Sequence, residues 1–210
     1  MSSVAIVYHS GYGHTAVIAE ALAEGVRNAG GTPDLVQIED VGQDMAPLLE
    51  RAGAADAIVF GAPTYMGGPS APMKAFIDAT SKPWYARAWK DKLAGGFTNS
   101  GGYSGDKLQT LTSFAVLAAQ HGMIWVSQAE MSEHQSGNTD AGADKVNRMV
   151  SSLGVMAQSD NASPEVTPPE GDKKTARLFG ERIARAADRW NAGARTPSES
   201  DVLVPELEVA

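Results

Sequence analysis

A chain of 210 residues, 43% hydrophobic and 20% charged, is long enough for one α/β domain with a full core. Its formal net charge of -8, from 25 acidic and 17 basic side chains, repels phosphate backbones and anionic membrane surfaces, which argues against a nucleic-acid module. Cysteine is absent, which excludes disulfides, thiolate catalysis and Cys-ligated zinc or iron–sulfur centres.

Met1-Ser2-Ser3 leads into the apolar run Val4–Tyr8 without a basic leader region, which predicts a buried first strand, no signal peptide and a cytoplasmic protein. No apolar run approaches the roughly 20 residues of a membrane helix. After a glycine-rich turn, Val17, Ile18, Ala21, Leu22 and Val26 keep helical spacing, and Gly30-Gly31-Thr32-Pro33 ends that helix. Leu35–Ile38 reads as a second strand, Met45–Arg51 as a short helical turn and Ala57–Phe60 as a third strand. Pro72–Ala79 reads as a helix with proline in its first turn, where the missing N–H costs nothing. Leu93–Thr98 is the fourth strand, Lys107–His121 a helix closed by Gly122, and Met123–Val126 the fifth strand. Lys173–Trp190 ends the pattern with the stripe Phe179, Ile183, Ala187 and Trp190.

This alternation predicts a five-stranded parallel sheet in the order 2-1-3-4-5 with helices on both faces, over residues 1–190. Residues 127–172 read as a long loop carrying a small helix through Val146, Met149, Val150 and Leu153. Residues 191–210 read as a flexible tail, an arm through Val202, Leu203 and Val204 being the alternative.

In such a sheet the ligand lies beyond the carboxyl ends of the strands, where strands one, three and four each run into an unusual loop. The first is His9-Ser10-Gly11-Tyr12-Gly13-His14-Thr15. Its glycines let the backbone wrap closely, Ser10 and Thr15 offer hydroxyls, and the following helix N-terminus suits a phosphate. The absence of lysine in this loop disfavours a P-loop nucleotide-hydrolysing enzyme. Gly11-Tyr12-Gly13-His14-Thr15-Ala16 also matches the dinucleotide pattern, with Glu39 or Asp40 as the ribose acid, so this turn alone leaves a Rossmann dehydrogenase open. The second loop, Ala62–Ser70, sets the large side chains of Tyr65 and Met66 where polar ones are expected, as if to cover something flat, beside the freed backbone of Gly67 and Gly68. The third, Thr98–Asp106, offers small donors on a glycine-rich backbone. His14 reads equally as a phosphate contact or a solvent-facing residue, and His9 and His134 as structural or surface residues. No acidic partner stands at ligand spacing from a histidine, so no metal site is expected.

Together the segments Ser10–Thr15, Phe60–Tyr65, Pro72–Asp78 and His121–Met123 resemble the flavodoxin superfamily, and within it the NAD(P)H:quinone oxidoreductases related to the tryptophan-repressor-binding protein. The resemblance runs from Val4 to about Trp190 and implies a flavodoxin-like three-layer sandwich holding one FMN non-covalently. It implies that Ser10, Gly11, Tyr12, Gly13, His14 and Thr15 hold the phosphate. Thr64, Tyr65 and Met66 would contact the isoalloxazine, with Pro63 and Gly67 completing that loop. Asn99, Ser100, Gly101, Gly102 and Tyr103 would lie along the ring and ribityl chain. The substrate pocket would involve Tyr12, Trp84, Gln120 and His121, in a homodimer or homotetramer. Gln120 departs from the paired histidines of many relatives, and the usual insertion between Met45 and Ala57 is missing. The implied reaction passes two electrons from NADH or NADPH to a quinone by ping-pong hydride transfer, with no catalytic side chain. A flavodoxin that carries single electrons is the alternative.

Overall fold

The computed structural model describes residues 1–133 and 142–193. The expectations for His134 and for residues 194–210 therefore fall outside the described residues. The opening run forms β1 (Ser3–His9), whose side chains alternate between two cores. Val4, Ile6 and Tyr8 pack on one side of the sheet, and Ala5 and Val7 on the other.

The chain continues through α1 (His14–Asn28), β2 (Thr32–Ile38), α2 (Ala46–Ala54) and β3 (Ala57–Tyr65). Then follow the two-residue β4 (Gly68–Pro69), α3 (Ala71–Ala79), α4 (Ser81–Tyr85), β5 (Leu93–Ser100) and α5 (Lys107–Gln120). The last elements are β6 (Ile124–Trp125), β7 (Val155–Gln158) and α6 (Glu170–Gly193). Helices α1 and α6 cover one face and approach backbone to backbone through two glycines. A Cβ at Gly25 would stand 1.9 Å from the Arg177 carbonyl oxygen, and one at Gly180 2.1 Å from that of Leu22. Side chains of α2, α3 and α5 close the other face.

The path through the sheet is β2-β1-β3-β5-β6, with β4 an antiparallel hairpin on β3. Both β6 and β7 pair in parallel with β5, through Leu93 with Ile124 and Phe97 with Val155. They are two halves of one interrupted strand, so the order is the 2-1-3-4-5 of a flavodoxin-like three-layer sandwich.

Three local expectations need correction. The fifth strand is not the single run Met123–Val126, because its upper half comes from 155–158, inside the stretch read as loop. The excursion between the halves is clipped by Trp125 Nε1, which donates to the Leu153 carbonyl at 2.9 Å. Gly154 brings the chain back so closely that a Cβ there would lie 2.3 Å from the Gly96 oxygen. The small helix through Val146–Leu153 does not form. Asn147 and Val150 adopt φ of 46° and 53°, and the Asn147 amide donates to the Glu130 and Ser151 carbonyls instead. The second strand begins at Thr32, with Pro33 tolerated because β2 is an edge strand.

Candidate functional site

The carboxyl ends of β1, β3 and β5 deliver three loops to one place. Gly13, at φ 89°, is the N-cap of α1; it has no side chain to cap the helix, and the first turn holds no acid to offset the positive end of its dipole. The Ala16 N–H donates to Ser10 Oγ at 3.1 Å, folding the loop over the helix start. A Cβ on Gly13 would meet Pro164 Cγ at 2.9 Å, and one on Gly11 would meet the Tyr65 hydroxyl at 2.6 Å. Gly13 is therefore held to glycine by space and by backbone conformation, whereas a side chain at Gly11 would have to displace the Tyr65 hydroxyl. His14 Nε2 lies 2.8 Å from the Ala162 carbonyl. A carbonyl only accepts, so this nitrogen carries the proton and ties loop one to the segment after β7.

In the second loop Tyr65 pairs with Gly68, and between them Met66 and Gly67 adopt φ of 48° and 82°. Positive φ at both central residues marks a type I′ hairpin turn. Met66 is fully exposed, so an apolar, non-glycine residue stands in a costly conformation facing solvent. Tyr65 leans against Tyr12, and burial together with this neighbour pushes its phenol pKa up. Thr64 turns inward. Thr98 donates to the Ala62 carbonyl at 2.7 Å, and the Thr64 hydroxyl bridges Thr98 and Thr110 at 2.8 and 2.7 Å. Its side chain is engaged in the core, and its backbone pairs with Pro69 of β4.

The third loop is anchored from several directions. Ser159 Oγ donates to Asn99 Oδ1 at 2.9 Å. Lys107, fully buried, donates to Ser100 Oγ at 2.9 Å and to the Gly102 carbonyl at 2.5 Å. Gln158 Nε2 donates to the Gly101 carbonyl at 3.0 Å. Beside them the buried Arg148 and Asp172 form a bidentate pair, both bonds 2.8 Å. Arg148 also stands 5.5 Å above the Tyr103 ring.

Gly11, Tyr12, His14 and Thr15 of loop one, Pro63–Tyr65 of loop two and Asn99–Gly101 of loop three line one cleft of about 170 Å³, with Ser159. Tyr12, 78% exposed, lines it, whereas Met66, next in the chain to Tyr65, is fully exposed and is not among its lining residues. Tyr103, 72% exposed, faces a neighbouring groove instead. Trp84, Gln120 and His121 gather in a third cleft between α3 and α5 that shares no residue with the first. His121 is buried, stacks on Trp89 at 4.5 Å between ring centres and bonds Thr80 Oγ1 at 3.0 Å. Burial and then Arg87 push its pKa down to about 4, so it is neutral near pH 7. His9 is also buried, with Nδ1 2.8 Å from Ser70 Oγ at the start of α3, and burial lowers its pKa. This partner makes it a link between loops one and two, as a structural residue would be.

Ser159, Ala162 and Pro164 were missed in the sequence because β7, which carries them to the cleft, lay inside an apparent loop. Lys107, Arg148 and Asp172 were missed because isolated charges read as solvent-facing until their partners are known. Among the described residues no His, Asp or Glu cluster is arranged to hold a metal ion. No helix among them is long and apolar enough to cross a membrane.

The family model of NADPH-dependent FMN reductase matches residues 8–137, which run from loop one through loop three and beyond. The chain belongs to the NADPH-dependent FMN reductase family. Two relatives of known name align with it along their full length. Flavodoxin FldP of Pseudomonas aeruginosa is 39% identical over 91% of this chain and 100% of its own. An NAD(P)H dehydrogenase (quinone) of Trichlorobacter lovleyi is 30% identical over 91% of this chain and 100% of its own. The crystal structure of a WrbA-like flavodoxin from Agrobacterium tumefaciens superposes with a TM-score of 0.69 at 43% identity, covering 90% of this chain and 99% of that one.

FMN is the cofactor that membership of this family gives the chain. The cleft fits that group on its own terms. The α1 N-terminus has no acid in its first turn, and His14 and Thr15 of that turn line the cleft, which suits a phosphate.

Proposed function

We propose that the cleft holds FMN with its phosphate on the Ser10–Thr15 turn and its ring between Tyr65–Met66 and the Asn99–Tyr103 loop, and that the protein reduces a quinone or similar small acceptor with NAD(P)H. The observation that carries this reading is the meeting of all three loops in one cleft, with Tyr12 and Tyr65 among its lining side chains. A cleft of about 170 Å³ is small beside the roughly 300–1,000 Å³ of enclosed ligand pockets. It suits the phosphate and ribityl end, and leaves the ring to lie open beside Tyr12 and Met66. FMN, when bound, accepts a hydride and returns two electrons. The chain's own part is to orient the ring, wall it with Tyr12, Tyr65 and Met66 and limit water. One open face serves reductant and acceptor in turn, which gives ping-pong kinetics.

Trp84 and Gln120 line a cleft that shares no residue with the FMN cleft of the same chain, so in this proposal they serve the flavin of a neighbouring copy. A homo-oligomer is therefore part of this proposal. The 39% identity to a flavodoxin supports a second reading, a carrier that passes single electrons to protein partners. Rapid anaerobic mixing with NADPH, followed by a quinone, separates the two. The reductase bleaches its yellow flavin band within seconds and recovers it on quinone addition. Flavin that stays oxidised under NADPH but accepts electrons from a reduced protein donor decides for the carrier. A colourless protein that takes up no added FMN overturns both.

A further inference from the structure

The group of buried charges behind loop three takes no part in the reaction proposed above, and it is costly to keep. Lys107 is fully buried on the first turn of α5, where an apolar side chain would pack without the penalty of desolvating an ammonium. Its bonds end on Ser100 Oγ and the Gly102 carbonyl. The carbonyl between them, that of Gly101, is taken by Gln158. Gln158 is itself fixed by Asp172, which accepts its backbone N–H at 2.9 Å, and by Arg148, which donates to its Oε1 at 3.1 Å. Three consecutive residues of loop three are thus held by one polar cluster drawn from α5, β7, α6 and the segment before β7. Gly105 folds so tightly against this point that a Cβ there would stand 2.2 Å from Ser100 Oγ.

We infer that Lys107 is a positioning residue for the flavin, whose buried ammonium clamps Ser100–Gly102 into the shape that meets the ring, so that the grip on FMN depends on the charge at Lys107. The inference rests on the flavin reading of the cleft. The charged groups facing Lys107 are Asp172 from α6 and Arg148 from the segment before β7, with Asp106 next to it in the chain. Asp160 is held aside by Gln158 Nε2 at 2.9 Å. Burial lowers the Lys107 pKa to about 8, with Asp172 opposing and Arg148 reinforcing the shift. Below that pH the group is an ammonium and its hydrogen bonds are charge-assisted. Above it the group is a neutral amine that binds the same acceptors less strongly, and loop three loosens.

The test is the dissociation constant of FMN, read from free-flavin fluorescence on diluting the holoprotein, between pH 7 and 9.5. This window lies above the second ionisation of a phosphate monoester, at about 6. In the wild type the constant rises at least threefold with its midpoint near pH 8. In Lys107→Met it is about tenfold weaker at pH 7 and flat across the window. An inflection that is lost in Lys107→Met belongs to Lys107. Should Lys107→Met fail to fold, Ser100→Ala decides. Its affinity falls below wild type at pH 7 and converges with it above pH 9, where the clamp is already weak in both. A direct ligand contact of Ser100 would instead leave a deficit constant with pH, and that result overturns the inference. So does a flat wild-type profile, or an inflection retained in Lys107→Met. A wild-type protein that holds no FMN at pH 7 overturns the flavin reading itself, so the two failures are distinguishable.

Discussion

Loops one and two, like loop three with Gly105 and Asp106 at φ 53°, contain left-handed backbone, but only loop three is also held by charged side chains removed from water. In the first pair the strained positions are Gly13 at φ 89°, Met66 at 48° and Gly67 at 82°, each on the loop it shapes. In the third, the shape is enforced by Lys107, Gln158, Arg148 and Asp172, three of them distant in sequence from Ser100. The difference shows that one binding edge can combine a local device with one drawn from the far end of the chain. The local device depends on residue type at one position. The distant one depends on the whole back half being folded, and on its charge balance.

The largest expected effect falls on the charge-held loop. Asp172→Asn removes the only carboxylate paired with Arg148 among the described residues and leaves two buried cations facing each other. Breaking a buried pair in this way costs about 3–5 kcal/mol. Chemical denaturation at pH 7 is expected to show a loss of that size, together with weaker FMN. A loss under about 1 kcal/mol would mean that the pair is not what holds this region, and the contrast between the loops would collapse.

A smaller effect separates backbone strain from ligand contact in loop one. Gly13 and Gly30 share nearly the same φ, 89° and 84°, but a Cβ at Gly30 meets nothing within 4 Å whereas one at Gly13 meets Pro164. Alanine at either position costs about 1 kcal/mol of stability from the conformation alone. Only Gly13→Ala also displaces the turn from Pro164, so it alone is expected to weaken FMN, by tenfold or more. Equal FMN affinity in the two variants would show that the phosphate lies elsewhere.

These devices differed in how far the sequence disclosed them. Gly11, Gly13, Gly67 and the large side chains of Tyr65 and Met66 stand out because turn chemistry is local, and strand–helix alternation brings their loops to one edge. The interrupted fifth strand was illegible, since four residues of strand between glycine- and serine-rich stretches give no usable period. Val146, Met149, Val150 and Leu153 imitate a helix, and the left-handed backbone at Asn147 and Val150 prevents it. Arg148 and Asp172 are 24 residues apart, and His14 and Ala162 are 148 apart, so nothing in either neighbourhood marks the partner.

The smallest effect is expected in loop two, and it should act on stability and binding in opposite directions. At Met66 the left-handed conformation suits asparagine better than an unbranched apolar side chain, and Asn-Gly is the preferred pair for a type I′ hairpin. Met66 is fully exposed, so its replacement removes no buried surface. Met66→Asn should therefore raise the stability of the protein by about 0.5 kcal/mol, read as a melting temperature higher by about 1–2 °C. If Met66 is retained because it covers the flavin ring, the same variant should bind FMN several-fold more weakly and expose the flavin to iodide quenching. A variant that gains stability without losing affinity would leave the strain at Met66 unconnected to the ligand. Loop two would then be shaped by its turn alone, and the cover of the ring would rest on Tyr65 and Tyr12.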